Sequence, residues 1–342
     1  MNTQHPQPTL RTKFGFWLLL AVLSVAIAEV TVAASPFVFI NPFEALFLLT
    51  FYGSHLLIFA WLTFRRGWPS LPTLWFAGVL FGLYEFYITK VLWSPPWGDA
   101  ISLAHVDVIS FVVLAFFWHP FMAFIFPLAI GESAGSSTSW VRSQLPTWLT
   151  APSRRRATIA LAVAAVSLGT FFGSPAVVLL SALSAGLAVT VSVWLWRRND
   201  RRVQWDLPDL LPNTKQARGI GVLLAIQYLI FIPAWRPEGF PPLLGHVVVW
   251  LLYAGFGFLL AAALQRNRAE DPVATAPAAT RWSRKIVLSV GVLIVLAILG
   301  SISPVPLGVF PVWGVSMIVG LRMLNRSVRF AVHRDRQPVQ VT

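Results

Sequence analysis

Four side chains interrupt long apolar stretches: Glu29, His55, Glu85 and His119. A charge at the centre of a bilayer costs about 2.5–3.5 kcal/mol on insertion scales, so such a group needs a partner, a proton or a water-filled cavity. A carboxylate within reach of an imidazole can pass a proton, hold a polar or ionic solute, or activate water. These are the candidate pocket residues. Tyr52, Lys90 and Pro120 form a second tier: Tyr52 lies three residues before His55 and shares its helix face, while the other two follow Glu85 and His119. No H-E-x-x-H spacing joins the groups, so His55, His119 and Glu85 match a metal site in ligand type only, and neither a metal nor a cofactor is expected. With no cysteine, disulfides, thiolate chemistry and Cys-ligated metals are excluded.

Spacing says which way some of these groups face. Gly78, Gly82 and Glu85 fall at i, i+4 and i+7, so the small-residue groove that admits a neighbouring helix also carries the carboxylate. Ala26, Glu29 and Ala33 repeat the pattern. Lys90, five residues after Glu85, points elsewhere and is expected to snorkel to the outer surface. Trp118-His119-Pro120 and the later Pro127 should each free a carbonyl one turn earlier, at Phe116 and Ala123, producing either a simple kink or a broken helix that lines a site. Each group also has a structural reading. Glu29 and Glu85 could serve as neutral interhelical hydrogen-bond donors, and the histidines as packed core residues. Glu44 and Asp107 suit helix N-termini, and Gly169 with Gly173 suits helix packing.

The elements that must position these residues are membrane helices. The chain has 342 residues, 56% hydrophobic and 11% charged, with mean hydropathy +0.70, against about 25% charged in soluble domains. Apolar stretches of near-spanning length fall at 14–34, 43–64, 72–93, 108–130, 157–173, 176–196, 219–235, 244–264, 286–302 and 305–322. They predict an all-α integral membrane protein of about ten transmembrane helices, with no room for a large soluble domain. Lys and Arg alternate across the connections, with 24 of the 26 on one side and only Lys90 and Arg236 on the other. Both termini are therefore expected in the cytoplasm and the protein in the cytoplasmic (inner) membrane. Net charge +13 is a topology signal here, and nucleic acid is not an expected partner.

The expected division is a cytoplasmic N-terminus at 1–13, a four-helix half at 14–130, a cytoplasmic loop at 131–156, a six-helix scaffold at 157–322 and a basic tail at 323–342. Within the loop, Trp140, Leu145, Trp148 and Leu149 suggest a short helix in the headgroup layer, and residues 270–280 read as an Ala/Pro-rich linker. The first span also carries the features of a signal peptide, with Val32 and Ala34 at cleavage-like positions. The breaks at Gly173-Ser174-Pro175 and Ser303-Pro304-Val305-Pro306 fit tight hairpins or re-entrant turns. Trp17, Trp61, Trp75, Trp194, Trp196 and Trp282 near one set of span ends, and Trp93, Trp97 and Trp235 near the other, read as aromatic belts. Counting inward from the outer end, Glu29 is about six residues deep, Glu85 about nine, His119 about twelve and His55 about thirteen. An outward-opening pocket in the first four helices would gather them.

The pattern Glu29, Asn41-Pro42, Tyr52-Gly53, Gly82-Leu83-Tyr84-Glu85 and Lys90 resembles a family of uncharacterised prokaryotic polytopic membrane proteins over roughly residues 29–130. That resemblance implies a membrane fold and no particular activity. In that pattern a second Glu often follows Tyr-Glu, where this chain has Phe86. A weaker similarity is to glutamic intramembrane proteases of the abortive-infection type, whose Glu-Glu-x-x-x-Arg motif would fall on Glu85 to Lys90, with Phe86 and Lys90 departing from it. Three functions stay open at this point: binding or moving a small polar or ionic solute or a proton; an intramembrane hydrolase or lipid-directed transferase using Glu85 with a histidine; or a non-catalytic assembly protein. The lipid bilayer is the expected partner, and no oligomeric state is implied.

Overall fold

A computed structural model describes residues 7–98, 101–136, 139–145, 154–199, 205–267, 284–303 and 309–333. The fold is an all-α membrane bundle, apart from a two-residue antiparallel pairing of Ser102–Leu103 with Val106–Asp107. Among the described residues, six helices are long and apolar enough to cross a membrane: Leu10–Val30, Pro42–Phe64, Val108–Ala134, Pro175–Arg198, Thr214–Ala234 and Leu243–Leu264. The shorter apolar helices Ile159–Phe172 and Leu288–Ser301, the helix Leu71–Gly82 and the long helix Val309–Val332 complete the bundle.

Local chemistry fixes the starts. The Asn41 side chain accepts the backbone N–H groups of Phe43 and Glu44 with Pro42 at the first helical position, Ser70 accepts from Thr73, and Asp107 accepts from Ser110. The long connection 131–156 is described only in part. There Trp140 is buried, and its indole N–H donates to Pro69 O at 2.7 Å. Trp148, Leu149, the 270–280 linker and the Pro304-Val305-Pro306 break lie outside the described residues.

Two helices depart from the regular α-geometry that apolar length alone predicts. The expected span 72–93 is an α-helix over Leu71–Gly82 that breaks at Leu83 and continues as the single turn Tyr84–Tyr87 before the connection to the next helix. The fourth span widens into a π-helix over Leu114–Ile125 around Pro120, and the first ends in a π-turn at Ala26–Val30. A π-register leaves carbonyls that the α-register would have used. Neighbouring side chains take them. Trp75 Nε1 donates to Phe116 O at 2.8 Å, Ser24 Oγ to Ala123 O at 2.6 Å, and Trp118 Nε1 to Ala28 O at 2.9 Å. The two carbonyls expected to be freed by Pro120 and Pro127 are thus interhelical locks.

Leu71–Gly82 lies against the π-helix, Leu10–Val25 against Pro42–Phe64 and Pro175–Asn199, and Thr214–Ala234 against Pro42–Phe64. Close approach needs glycine. A Cβ at Gly78 would fall 2.4 Å from Pro120 Cα, and one at Gly82 would fall 2.9 Å from His119 Cβ. A second pair locks Arg154–Gly169 to Arg284–Ser301: a Cβ at Gly169 would meet Ala297 O at 2.1 Å, and one at Gly300 would meet Val166 O at 2.0 Å. Gly173 instead ends its helix at φ +66 with open space around it, so it serves the turn and not a helix groove.

Candidate functional site

The Gly78/Gly82 groove seats His119 directly beside the turn that carries Glu85. His119 Nε2 lies 3.3 Å from Glu85 Oε1, both side chains being almost wholly buried. Glu85 sits on the single turn Tyr84–Tyr87 that follows the break at Leu83. The second Glu85 oxygen accepts from the Thr89 hydroxyl, and His119 Nδ1 lies 3.0 Å from Leu114 O, a carbonyl of its own widened turn.

From this pair the polar contacts run on to Glu29. His119 Nε2 lies 3.2 Å from the Tyr84 hydroxyl, which lies 2.6 Å from the Tyr52 hydroxyl, which donates to Glu29 Oε1. Glu29 reaches the cluster from the π-turn of the first helix, Tyr52 from the second, Tyr84 and Glu85 from the broken third and His119 from the fourth. Each of these four helices supplies at least one member.

His55 is not part of this chain. Its ring stacks on Phe81 at 4.8 Å, and Phe81 stands between it and His119. Its Nδ1 lies 2.9 Å from Phe51 O, and since a carbonyl only accepts, Nδ1 carries the hydrogen and Nε2 accepts from the Tyr228 hydroxyl at 2.9 Å. Lys90 also departs from its expected role. It is fully buried with φ +56, and its ammonium donates to Ile232 O at 2.7 Å and to Trp235 O while lying 4.5 Å over the Phe240 ring. The physical reason is the connection after Tyr87, which brings Lys90 to the C-terminal end of Thr214–Ala234. Unpaired carbonyls there bind a cation better than a snorkelling route to solvent would. Pro120 packs on Gly78 and contributes shape.

A cavity of about 790 Å³ opens beside the cluster. Glu29, Tyr52, Tyr84, Glu85, Thr89 and His119 form its polar wall, and Glu44 and Arg236 add charge, while Phe47, Phe51, Trp97, Trp118, Trp235 and Trp313 supply aromatic surface. His55 does not line it. The connection after Tyr87 forms part of the wall: Trp97 donates to Ser110 Oγ at 3.2 Å and packs on Trp313 with ring centroids 5.8 Å apart. Arg236 is held by Thr89 O and Ser94 O at 3.1 and 2.9 Å, so its charge is already engaged by backbone. Three carboxylates against one engaged guanidinium and one imidazole make the cavity hospitable to cations and polar donors, not to anions.

Sequence reasoning singled out Tyr52 but gave Tyr84, Thr89, Tyr228 and Arg236 no role. A signal existed for the tyrosines. The chain has 26 Phe and only 5 Tyr, and where phenylalanine is the default a hydroxyl has to be explained by a bond. Three of the five are accounted for by Glu29, His119 and His55 above. Tyr228 also pairs with Tyr253, and Tyr87 lies 3.4 Å from His246 Nδ1.

A family model described as an uncharacterized membrane protein family matches residues 18–335. A protein of Archaeoglobus fulgidus, named only as an uncharacterized protein, is 31% identical over 249 residues, covering 72% of this chain and 76% of that relative. No solved structure matches the chain.

Proposed function

The chain belongs to an uncharacterized membrane protein family, and we propose that it binds or moves a small cationic or polar solute, or a proton, through an outward-opening cavity whose carboxylates come from its first four helices. One observation carries the reading: two intramembrane carboxylates, Glu29 and Glu85, meet at one cavity wall through Tyr52, Tyr84 and His119. Carboxylates retained only as helix glue would be served equally well by a dry contact. The volume falls within the range of about 300–1,000 Å³ of small-molecule sites, and the mix of aromatic surface with a few polar groups is typical of them. A second reading, an intramembrane hydrolase or lipid-directed transferase, draws on the same 3.3 Å contact between Glu85 and His119, which is within general acid–base reach through one water.

The cysteine-free chain makes a direct test available. Val113 lines the cavity, so Val113→Cys in proteoliposomes should react with externally added cationic thiol reagent about tenfold faster than with an anionic reagent of equal intrinsic reactivity. Glu85→Gln should leave folding and insertion intact and remove most of that preference. Equal rates for the two reagents would sink the cation reading, and no reaction from outside would sink the outward opening.

The proposed setting is a ten-span protein of the cytoplasmic membrane with both termini inside, residues 14–130 forming the solute-binding half and 157–322 the scaffold. It is supported by the one-sided distribution of 24 of the 26 Lys and Arg residues. Reporter fusions after Trp140 and after Trp205 should both read cytoplasmic; a periplasmic reading at either breaks the topology.

A further inference from the structure

The hydrogen-bond chain between His119 and Glu29 has a property that its distances and hydrogen count together impose. Leu114 O can only accept, so His119 Nδ1, 3.0 Å away, carries a hydrogen. Three links then join the other ring nitrogen to Glu29: Nε2 to Tyr84 at 3.2 Å, Tyr84 to Tyr52 at 2.6 Å, and Tyr52 to Glu29 Oε1. Two hydroxyls supply only two hydrogens for three links. The third must come from one end.

With three hydrogens for the three links, only two arrangements fill every link. In the first, His119 is an imidazolium that donates to Tyr84, Tyr84 donates to Tyr52, and Tyr52 donates to an ionised Glu29. In the second, a protonated Glu29 donates to Tyr52, Tyr52 to Tyr84, and Tyr84 to the bare Nε2 of a neutral His119. The two have the same atoms and the same net charge. They differ in where one proton sits.

We propose that Tyr52 and Tyr84 form a proton wire between the His119–Glu85 pair and Glu29. In one passage the His119 Nε2–H bond breaks and a Glu29 O–H bond forms, while each tyrosine gives up one hydrogen and gains another, so no tyrosinate is produced and the donor direction of the whole chain reverses. The charged groups facing the wire set its bias. Glu85 Oε1, 3.3 Å from Nε2, favours the imidazolium arrangement. Glu44, on the cavity wall from the second helix, favours the proton on Glu29 by like-charge repulsion, and Arg236 on the outer wall opposes it. The wire requires no particular solute, so its failure and that of the cavity reading are separate results.

The test uses the sign of a remote effect. Infrared difference spectroscopy on the full-length protein in lipid nanodiscs reads the carboxylic-acid band of Glu29, assigned by its loss in Glu29→Gln, and the ring modes of isotope-labelled histidine. Glu85→Gln removes the ion-pair partner of the imidazolium, so the wire should deliver the proton to Glu29 and raise its ratio of protonated to ionised form about tenfold, a size expected from losing one close opposite charge. Direct repulsion predicts the reverse, because deleting a nearby negative charge makes Glu29 easier to ionise. In a Tyr84→Phe background only through-space effects remain, the lost Glu85 charge offset by any charge lost from His119, and Glu85→Gln should no longer raise the Glu29 band. Tyr52→Phe cuts the wire at a second place, and Tyr87→Phe, outside the chain, should leave the rise intact. A Glu29 band that fails to rise in the intact chain, or rises as much with Tyr84→Phe as without, overturns the proposal.

Discussion

The helix Val108–Ala134 has 67% of its apolar window buried inside the protein, whereas Thr214–Ala234 has 11%, although both are apolar enough to cross a membrane. Hydrophobicity does not distinguish them because lipid is as apolar as leucine, so a helix gains nothing from burial on that account alone. What sorts the two regions is small and polar side chains. The inner helices carry Gly78, Gly82, Ser24 and Trp75, whose contacts are made backbone to backbone or to a freed carbonyl. The polar residues of the outer helix point the same way: Gln227 donates to Thr50 at 2.8 Å and Tyr228 reaches His55, so its polar stripe marks the face toward the interior.

The largest effect should come from crowding the inner contact. Gly78→Leu would put carbon within 2.4 Å of the Pro120 backbone, where the proline ring and the π-register leave no simple shift, and should cost at least about 3 kcal/mol or abolish folding. Gly255→Leu, on the outward Leu243–Leu264 helix with nothing within 4 Å of a new Cβ, should change stability by no more than about 0.5 kcal/mol. Thermal unfolding in detergent, followed by the fraction remaining monodisperse, compares the two. Equal effects would mean that the inner and outer regions are not packed differently in solution.

Much of this division was legible from the sequence, for reasons that differ residue by residue. The Gly78, Gly82, Glu85 spacing indicated a groove and its facing because helical period and residue size are local properties. The carbonyls at Phe116 and Ala123 were readable too, since proline removes a particular backbone donor wherever it sits. Which side chains would fill them was not readable: Trp75 lay near a span end and looked like an interfacial anchor, yet it is fully buried with its N–H on Phe116 O. The π-registers and the break at Leu83 were hidden because they depend on which neighbour compensates the lost bonds, a tertiary property. For the same reason His55 looked equivalent to His119. Depth along a helix fixes one coordinate, and the ring of Phe81 between them belongs to another.

Trp75 offers the finest test of that contrast, since its indole does two things that can be separated. Trp75→Phe keeps most of the aromatic packing against Phe76 and Phe116 but removes the donor to Phe116 O. A buried carbonyl that loses a hydrogen bond without replacement costs about 1–3 kcal/mol, and Pro120, one α-turn on, has no N–H to give. Trp194→Phe, at a side chain 51% exposed on the Pro175–Asn199 helix, removes an equal indole from the outer region and should fall within about 0.5 kcal/mol of the unaltered protein. If the Trp75 variant unfolds at the same temperature as the Trp194 variant, the freed carbonyl finds another partner. The π-helix would then hold its register without help from the third helix, and the close packing at Gly78 and Gly82 would alone have to account for the seating of His119 beside Glu85.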